Sequence, residues 1–234
     1  MKDQLMSIMK EAGFDLTDHQ ASLLLLYYER LVETNKVMNL TAVTEFDEVV
    51  RKHFADSLSL IKYMPLTSGT RMIDVGTGAG FPGLPLAIIC PDVRVTLMDS
   101  LNKRIRFLEG LIDEMKLENV TAVHARAEEL AFDQAYREFF DLAVSRAVAN
   151  MSTLLEYTLP FVKTGGRFAA YKSLKGEDEL EAAKKALYLL GGKTDKVETF
   201  DLFGMERSLI IIKKTAVTPR TYPRKAGTPA KKPL

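Results

Sequence analysis

The residues with the most chemical content lie in one stretch, Met72-Ile73-Asp74-Val75-Gly76-Thr77-Gly78-Ala79-Gly80-Phe81-Pro82-Gly83. An apolar run suited to a strand leads straight into Gly76, Gly78 and Gly80, and Pro82 stands where a helix would begin. Glycines at such a turn let the backbone reverse sharply and approach a ligand closely, because no Cβ intervenes. The helix that follows would add N–H donors. A strand-to-helix turn at the carboxyl edge of a sheet is where nucleotides bind. A dinucleotide fingerprint, GxGxxG, needs its first glycine as the strand ends. Counted from Gly76, its third glycine falls on Phe81. Counted from Gly78, the pattern Gly78-Gly80-Gly83 matches but starts two residues late. The loop has no Gly-Lys-Ser/Thr, which excludes a P-loop. Asp99 lies 23 residues after Gly76 and follows the next apolar run, where a carboxylate can accept ribose hydroxyls; it could also be a plain helix cap. Ala127-Glu128 follows the third such run, where an adenine edge could be held, although Glu128 by itself reads as a solvated helix charge.

These residues need a framework, and the pattern after Pro65 and Thr67-Ser68-Gly69 provides one. Strand-like runs at Met72–Val75, Arg94–Met98, Val120–His124, Asp141–Ser145 and Arg167–Tyr171 alternate with helical ones. The helical runs are Pro82–Ile89, Asn102–Met115, a short piece near Glu128, Met151–Thr158 and Glu177–Leu190. Such alternation predicts an α/β fold with a mostly parallel sheet covered on both faces. Lys193–Phe200 and Ser208–Lys213 have no helix between them and should form an antiparallel hairpin, giving seven strands. Residues 1–64 read as a helical extension. Leu23, Leu24, Tyr27 and Leu31 fall at helical spacing after an Asp18 cap, and Asn35–Thr44 is the expected connection to Phe46–Met64. The predicted division is therefore 1–64 extension, 65–214 sheet domain and 215–234 basic tail. Pro219, Pro223, Pro229 and Pro233 predict that the tail is extended or disordered.

Composition narrows the class. The hydrophobic content of 47% and charged content of 27% are those of an ordinary globular chain. No apolar run approaches the roughly 20 residues that span a bilayer, and the N-terminus lacks a signal-peptide core. The single Cys90 cannot pair internally and reads as a small buried hydrophobe, so a reducing, cytoplasmic setting is expected. Three histidines present no metal-ligand cluster. From Lys213 onward there are seven basic residues and no acid. With a whole-chain charge of +1, the first 212 residues carry −6. An acidic body with a basic tail suggests a polyanionic partner met through local patches, though a merely solubilising tail explains the charge equally.

The glycine loop, with an acid one residue before Val-Gly-x-Gly-x-Gly, resembles motif I of class I methyltransferases. There the loop runs beside the methionine part of S-adenosylmethionine, a cofactor with no phosphate. The chain as a whole resembles the RsmG (glucose-inhibited division protein B) family of bacterial ribosomal RNA methyltransferases. The resemblance is carried in order by Asn39-Leu40-Thr41, His53-Phe54-Ala55-Asp56-Ser57-Leu58, Asp74 to Gly83 and Asp99-Ser100-Leu101-Asn102-Lys103-Arg104. It continues through Ala127-Glu128, Ser145-Arg146-Ala147 and Tyr222 to Pro229. It implies a Rossmann-like methyltransferase fold and methyl transfer to N7 of a guanine in the decoding-region loop of 16S ribosomal RNA. It also implies cofactor contacts at Gly76, Phe81, Asp99, Ser100, Leu101, Ala127, Glu128 and Arg146, beside Gly78 and Gly80 of the loop.

Guanine N7 has a free lone pair and bears no proton, so the implied reaction needs no general base, and none is evident. Alignment and exclusion of water remain as the task. A cation is the natural donor to guanine O6; Arg146 and Lys172, at the ends of the fourth and fifth strands, are the candidates. Phe81 could stack on a base or be core. His53 and Asp56 share a helix face, as an ion pair fastening the extension would. Arg51-Lys52, Lys103-Arg104, Arg106 and the tail are the candidate RNA phosphate contacts. The competing readings are an NAD-dependent oxidoreductase, a non-catalytic RNA-binding module, and a methyltransferase for protein or small molecules. Ribosomal RNA or the small subunit is the expected partner, with no membrane and no obligate protein partner.

Overall fold

The computed structural model describes residues 1–173 and 176–234. Its centre is a seven-stranded sheet in the order β3-β2-β1-β4-β5-β7-β6. The strands are β1 (Arg71–Val75), β2 (Arg94–Asp99), β3 (Val120–His124), β4 (Phe140–Arg146), β5 (Val162–Lys172), β6 (Gly192–Leu202) and β7 (Met205–Lys214). The first five pair in parallel, and β7 runs antiparallel between β5 and β6, as the sequence predicts. The chain moves outward from β1 to β3 and then returns to β4. The switch point therefore lies between β1 and β4, where ligands bind in open α/β sheets.

Alternating side chains feed two cores, as a strand's period of two requires. Met72, Val144, Ala169 and Ile211 face one layer; Ile73, Ala143, Phe168 and Ile212 face the other. The first layer holds α1 (Lys2–Glu11), α2 (Asp18–Met38), α3 (Phe46–Val49), α4 (Asp56–Tyr63), α5 (Gly83–Ile89) and α6 (Asn102–Met115). The second holds α7 (Ala127–Leu130), α8 (Met151–Thr158) and α10 (Lys184–Leu190), preceded by α9 (Gly176–Ala182). The predicted helix Glu177–Leu190 is thus two helices meeting at Ala183. Cys90, at the end of α5, is half-buried rather than buried. No helix among the described residues is long and apolar enough to cross a membrane.

The N-terminal segment differs from expectation in three ways. Thr17, not Asp18, caps α2 through a capping box with Gln20. The helix continues to Met38, and the left-handed Asn39 (φ 49°) ends it, so the connection is shorter than Asn35–Thr44. Between α3 and α4 the backbone passes through a π-helical stretch, Val50–Ala55. The wider turn shifts the phase of the stripe, which brings Asp56 against the sheet with 5% exposure. There it accepts hydrogen bonds from Arg146 at the end of β4 (2.7 Å) and from Arg207 on β7 (3.0 Å).

The tail is neither extended nor disordered. Lys214 is buried and donates to Glu138 and Thr218, and Thr218 N–H donates to Glu138. Arg137 donates to the carbonyls of Thr218, Pro219 and Tyr222. The segment ends in a short helix, α11 (Thr228–Lys231). Buried carboxylates of the body capture the tail, which its own polar composition does not reveal.

Asp56 is buried and joins the extension to two strands through ion pairs with the partly buried Arg146 and Arg207, and removing it leaves both guanidinium groups without their carboxylate. Asp56→Ala is expected to lower the free energy of unfolding by about 3 kcal/mol or more, read from urea denaturation. A loss under about 1 kcal/mol, the size of a surface pair, would contradict this role.

Candidate active site

The chain leaves β1 through Gly76 (φ 73°), Gly78 (φ 63°) and Gly80 (φ 108°), a backbone that L-residues rarely adopt. The turn is closed from beneath by Asp74, which is fully buried. Its Oδ2 accepts from Thr77 Oγ1 at 2.7 Å and from Gly83 N–H at 2.8 Å; its Oδ1 has no partner. Burial raises its pKa to about 7 against the pull of those two bonds. The N–H groups of Gly76 and Thr77 go to Met98 O, that of Gly78 to Asp99, those of Gly80 and Phe81 to Thr77 O, and that of Leu84 to Gly80 O. Pro82 has none. The expectation that the helix adds N–H donors for a ligand is therefore corrected: the protein's own acceptors take them. A pyrophosphate needs such donors.

Above this turn lies a cavity of about 640 Å³, within the range for a small-molecule site. Gly76, Gly78, Phe81, Asp99, Ser100, Leu101, Ala127, Glu128 and Arg146 all line it. Gly80 does not. A Cβ there would stand 2.4 Å from Tyr27 Oη, so it is a packing glycine that lets α2 approach. Tyr27 donates to Ala79 O and stacks on Phe81. On the cavity side Gly78 has open space, and a Cβ on Gly76 would strike Val148 at 2.7 Å.

Asp99 is 3% exposed. Its Oδ1 accepts from Leu101 N–H (2.9 Å), and its Oδ2 from Gly78 N–H (2.9 Å) and Arg104 (3.2 Å). Oδ1 retains capacity for one ribose hydroxyl, and a second would have to displace Arg104. Arg104 is thus part of the cavity rim, and Lys103 donates to Met38 O. Lys52 pairs with Glu48, and Arg51 lies over Phe203. Each of these predicted RNA contacts has a partner within the protein, whereas Arg106 is exposed on α6. Glu128 is 7% exposed and accepts from Gly227 N–H at 2.9 Å. Lining residues not singled out from sequence include Thr41, Met98, Arg126, Tyr157, Gly227 and Ala230. Thr41 and Gly227 lie in segments that carry the family resemblance, whereas Ala230 carries no local signal.

A second cavity, about 750 Å³, adjoins the first and shares His53, Arg146, Ala147 and Val148 with it. Lys172 belongs here and does not reach the first cavity. Its Nζ donates to Ala149 O (2.8 Å) and Glu179 Oε2 (2.6 Å), leaving one of its three protons. Arg207 also lines this cavity, a role the sequence did not suggest. Ala147, at φ 56°, is a left-handed non-glycine residue in the wall between the two spaces. Arg146 is held from below by Lys52 O (3.1 Å), Asp56 and His53 Nδ1 (3.2 Å), and lies over the Phe81 ring. Phe81 is stacked by Tyr27 and by His53, so its faces serve the protein interior first.

His53 does not pair with Asp56, contrary to expectation; the arginines take that carboxylate. His53 Nδ1 lies 3.2 Å from Arg146 Nη2, which can only donate, and 3.2 Å from Lys52 O, which can only accept, while Nε2 faces Thr41 Oγ1 at 2.9 Å. Burial first, and then the neighbouring Arg146 charge, hold its pKa down to about 4. Among the described residues no group of three His, Cys, Asp or Glu side chains could hold a metal ion.

A switch-point cavity above a glycine turn, with Asp99 and Glu128 in its lining, is the arrangement of a Rossmann-like methyltransferase. The residues fit S-adenosylmethionine: Gly78 leaves a cradle that a Cβ would narrow, and Asp74 Oδ1 is an orphaned acceptor beneath it. Comparison with known proteins agrees. The family model for rRNA small subunit methyltransferase G matches residues 20–210. Ribosomal RNA small subunit methyltransferase G of Lachnoclostridium phytofermentans is 53% identical over 228 residues, 97% of this chain and 94% of the relative. Its counterpart in Brevibacillus brevis is 48% identical over 235 residues, 100% and 99% of the two chains. Among solved structures, TrmN from Thermus thermophilus superposes with a TM-score of 0.54 at 17% identity, over 70% of this chain and 53% of that one, a likeness of fold. The chain belongs to the rRNA small subunit methyltransferase G family.

A histidine whose folded pKa lies below its unfolded value of about 6.5 stabilises fully above that value. The contribution is lost as pH falls toward about 4. Asp74, raised to about 7, acts with the opposite sign, losing its contribution as pH rises from 3.8. The difference between the parent chain and His53→Gln isolates the histidine. Their stability gap is expected to narrow by up to about 3 kcal/mol between pH 7 and pH 4. A pH-independent gap would refute the neutral histidine.

Proposed function

We propose that the protein transfers a methyl group to N7 of a guanine in the decoding-region loop of 16S ribosomal RNA, acting in the cytoplasm. The observation that carries this reading is the pair of cavities meeting at Arg146. One suits S-adenosylmethionine, and the other is lined by Arg146, Lys172 and Arg207 beside Glu179. S-adenosylmethionine supplies a methyl group on a cationic sulfur, which a lone pair displaces in line. Guanine N7 needs no base to deprotonate it, so the residues align and enclose.

In the first cavity Asp99 and Glu128 hold the adenosine, with Ser100, Leu101 and Ala127 at its edge and Gly76 and Gly78 beside the methionine part. Phe81 is the packed support beneath Arg146. In the second cavity the remaining Lys172 proton donates to O6, leaving N7 unblocked. Arg146, fixed by Asp56 and His53, stands between the two sites and orients one against the other. The exposed tail cations Lys213, Arg220, Lys225, Lys231 and Lys232 supply phosphate contacts. Lys214 and Arg224 do not, because they are spent on Glu138 and Glu156.

The test uses methyl-labelled S-adenosylmethionine and small-subunit rRNA or particles from cells lacking the enzyme, followed by mapping of the label. One labelled guanine, cleavable by N7-specific chemistry, is expected; label on adenine, protein or nothing ribosomal would refute the proposal. Lys172→Met should lower kcat/KM about 10- to 100-fold, the worth of one hydrogen bond from a charged donor. Affinity for S-adenosylhomocysteine should be unchanged, since Lys172 lies outside the first cavity. A loss of cofactor affinity instead would contradict its assignment to the base.

A further inference from the structure

Residues 215–234 carry a set of contacts that no RNA-binding arm needs. Glu156 on α8 is completely buried. Its Oε1 accepts from Arg224 N–H (2.7 Å) and Nε (3.0 Å), and its Oε2 from Arg224 Nη2 (2.7 Å). A buried carboxylate matched by one guanidinium and one backbone N–H fixes the chain in position as well as direction. Beyond this clasp Pro229 O accepts from Thr153 Oγ1 at 2.9 Å. Gly227, in the left-handed region at φ 80°, donates its N–H to Glu128. Gly227 and Ala230 then form part of the lining of the first cavity.

We infer that residues 222–231 are a built wall of the cofactor cavity, clasped by the Glu156–Arg224 pair, so that cofactor binding and the seating of the tail are one equilibrium. The inference rests on the reading of that cavity as the S-adenosylmethionine site. Gly227 occupies one acceptor position of Glu128 and orients the carboxylate, which Tyr157 also approaches, and a further lone pair is left for a ligand amine. A ligand that contacts both Glu128 and the tail binds only the seated form, and so favours seating by mass action. The exposed Lys225, Lys231 and Lys232 lie on the same segment. Its seating therefore also decides where those charges stand for a polyanion.

The experiment compares the full-length chain, a chain ending at Lys225, and Arg224→Lys. The shortened chain keeps the clasp and loses Gly227 and Ala230; Arg224→Lys keeps the charge and loses the bidentate geometry. Calorimetry with S-adenosylhomocysteine is expected to give a Kd about tenfold or more higher for the shortened chain, with an intermediate rise for Arg224→Lys. Melting temperature without ligand controls for folding. In the full-length chain, S-adenosylhomocysteine should slow tryptic cleavage after Lys225, a readout that requires no variant to fold. Equal affinity of full-length and shortened chains, or cleavage indifferent to the ligand, would make the tail a bystander. Loss of RNA affinity with cofactor affinity intact would make it only an RNA arm, and overturn the inference. Failure of the full-length chain itself to bind would refute the cofactor reading and the wall with it.

Discussion

The buried carboxyl of Asp74 is the constraint on which the site depends. It joins the end of β1 to Thr77 in the turn and to Gly83 at the start of α5, holding strand, loop and helix in one arrangement. Gly83 must be glycine for this, because a Cβ would stand 2.8 Å from Asp74 Oδ2 and 2.4 Å from Leu97 Cδ2. The same bond takes up a helix N–H of the kind that a pyrophosphate would need. The loop that resembles a nucleotide cradle therefore offers a phosphate no free N–H from the first turn of α5.

The N-terminal helices build the other half of the site. Tyr27 and His53 stack on Phe81, Tyr27 braces Ala79 O, and Asp56 holds Arg146 and Arg207. The π-helical stretch Val50–Ala55 delivers His53 and Asp56 together, and such stretches recur where function demands an irregular helix. Arg146 collects these contacts at the wall between the cavities. A single guanidinium whose lower face is satisfied by protein presents its remaining N–H groups to whatever occupies the site.

Much of this was legible in the sequence because local patterns determine it. The bounds of α6 and α8 agree with the apolar periodicity, and the glycine loop announced itself through strand, glycine and proline spacing. The features that escaped are those made by distant partners. Asp56 and Arg207 are 151 residues apart, and nothing near either residue signals the pairing. The tail's prolines and lysines read as solvated, yet Glu138 and Glu156, each far back in the chain, dock it. Gly80 read as a ligand-facing glycine by spacing alone, whereas the hydroxyl of Tyr27 explains it. Lys172 was correctly placed at the end of β5, but only the three-dimensional arrangement assigns it to the second cavity.

With the first N–H groups of α5 engaged internally, the site suits an adenosine ligand that needs no pyrophosphate cradle. Equilibrium titration of the full-length chain with S-adenosylhomocysteine and, separately, with NAD tests it most directly. The account predicts saturable binding of S-adenosylhomocysteine and binding of NAD at least about a hundredfold weaker, a difference near 2.7 kcal/mol. Comparable affinity for the two, or preference for NAD, would contradict it.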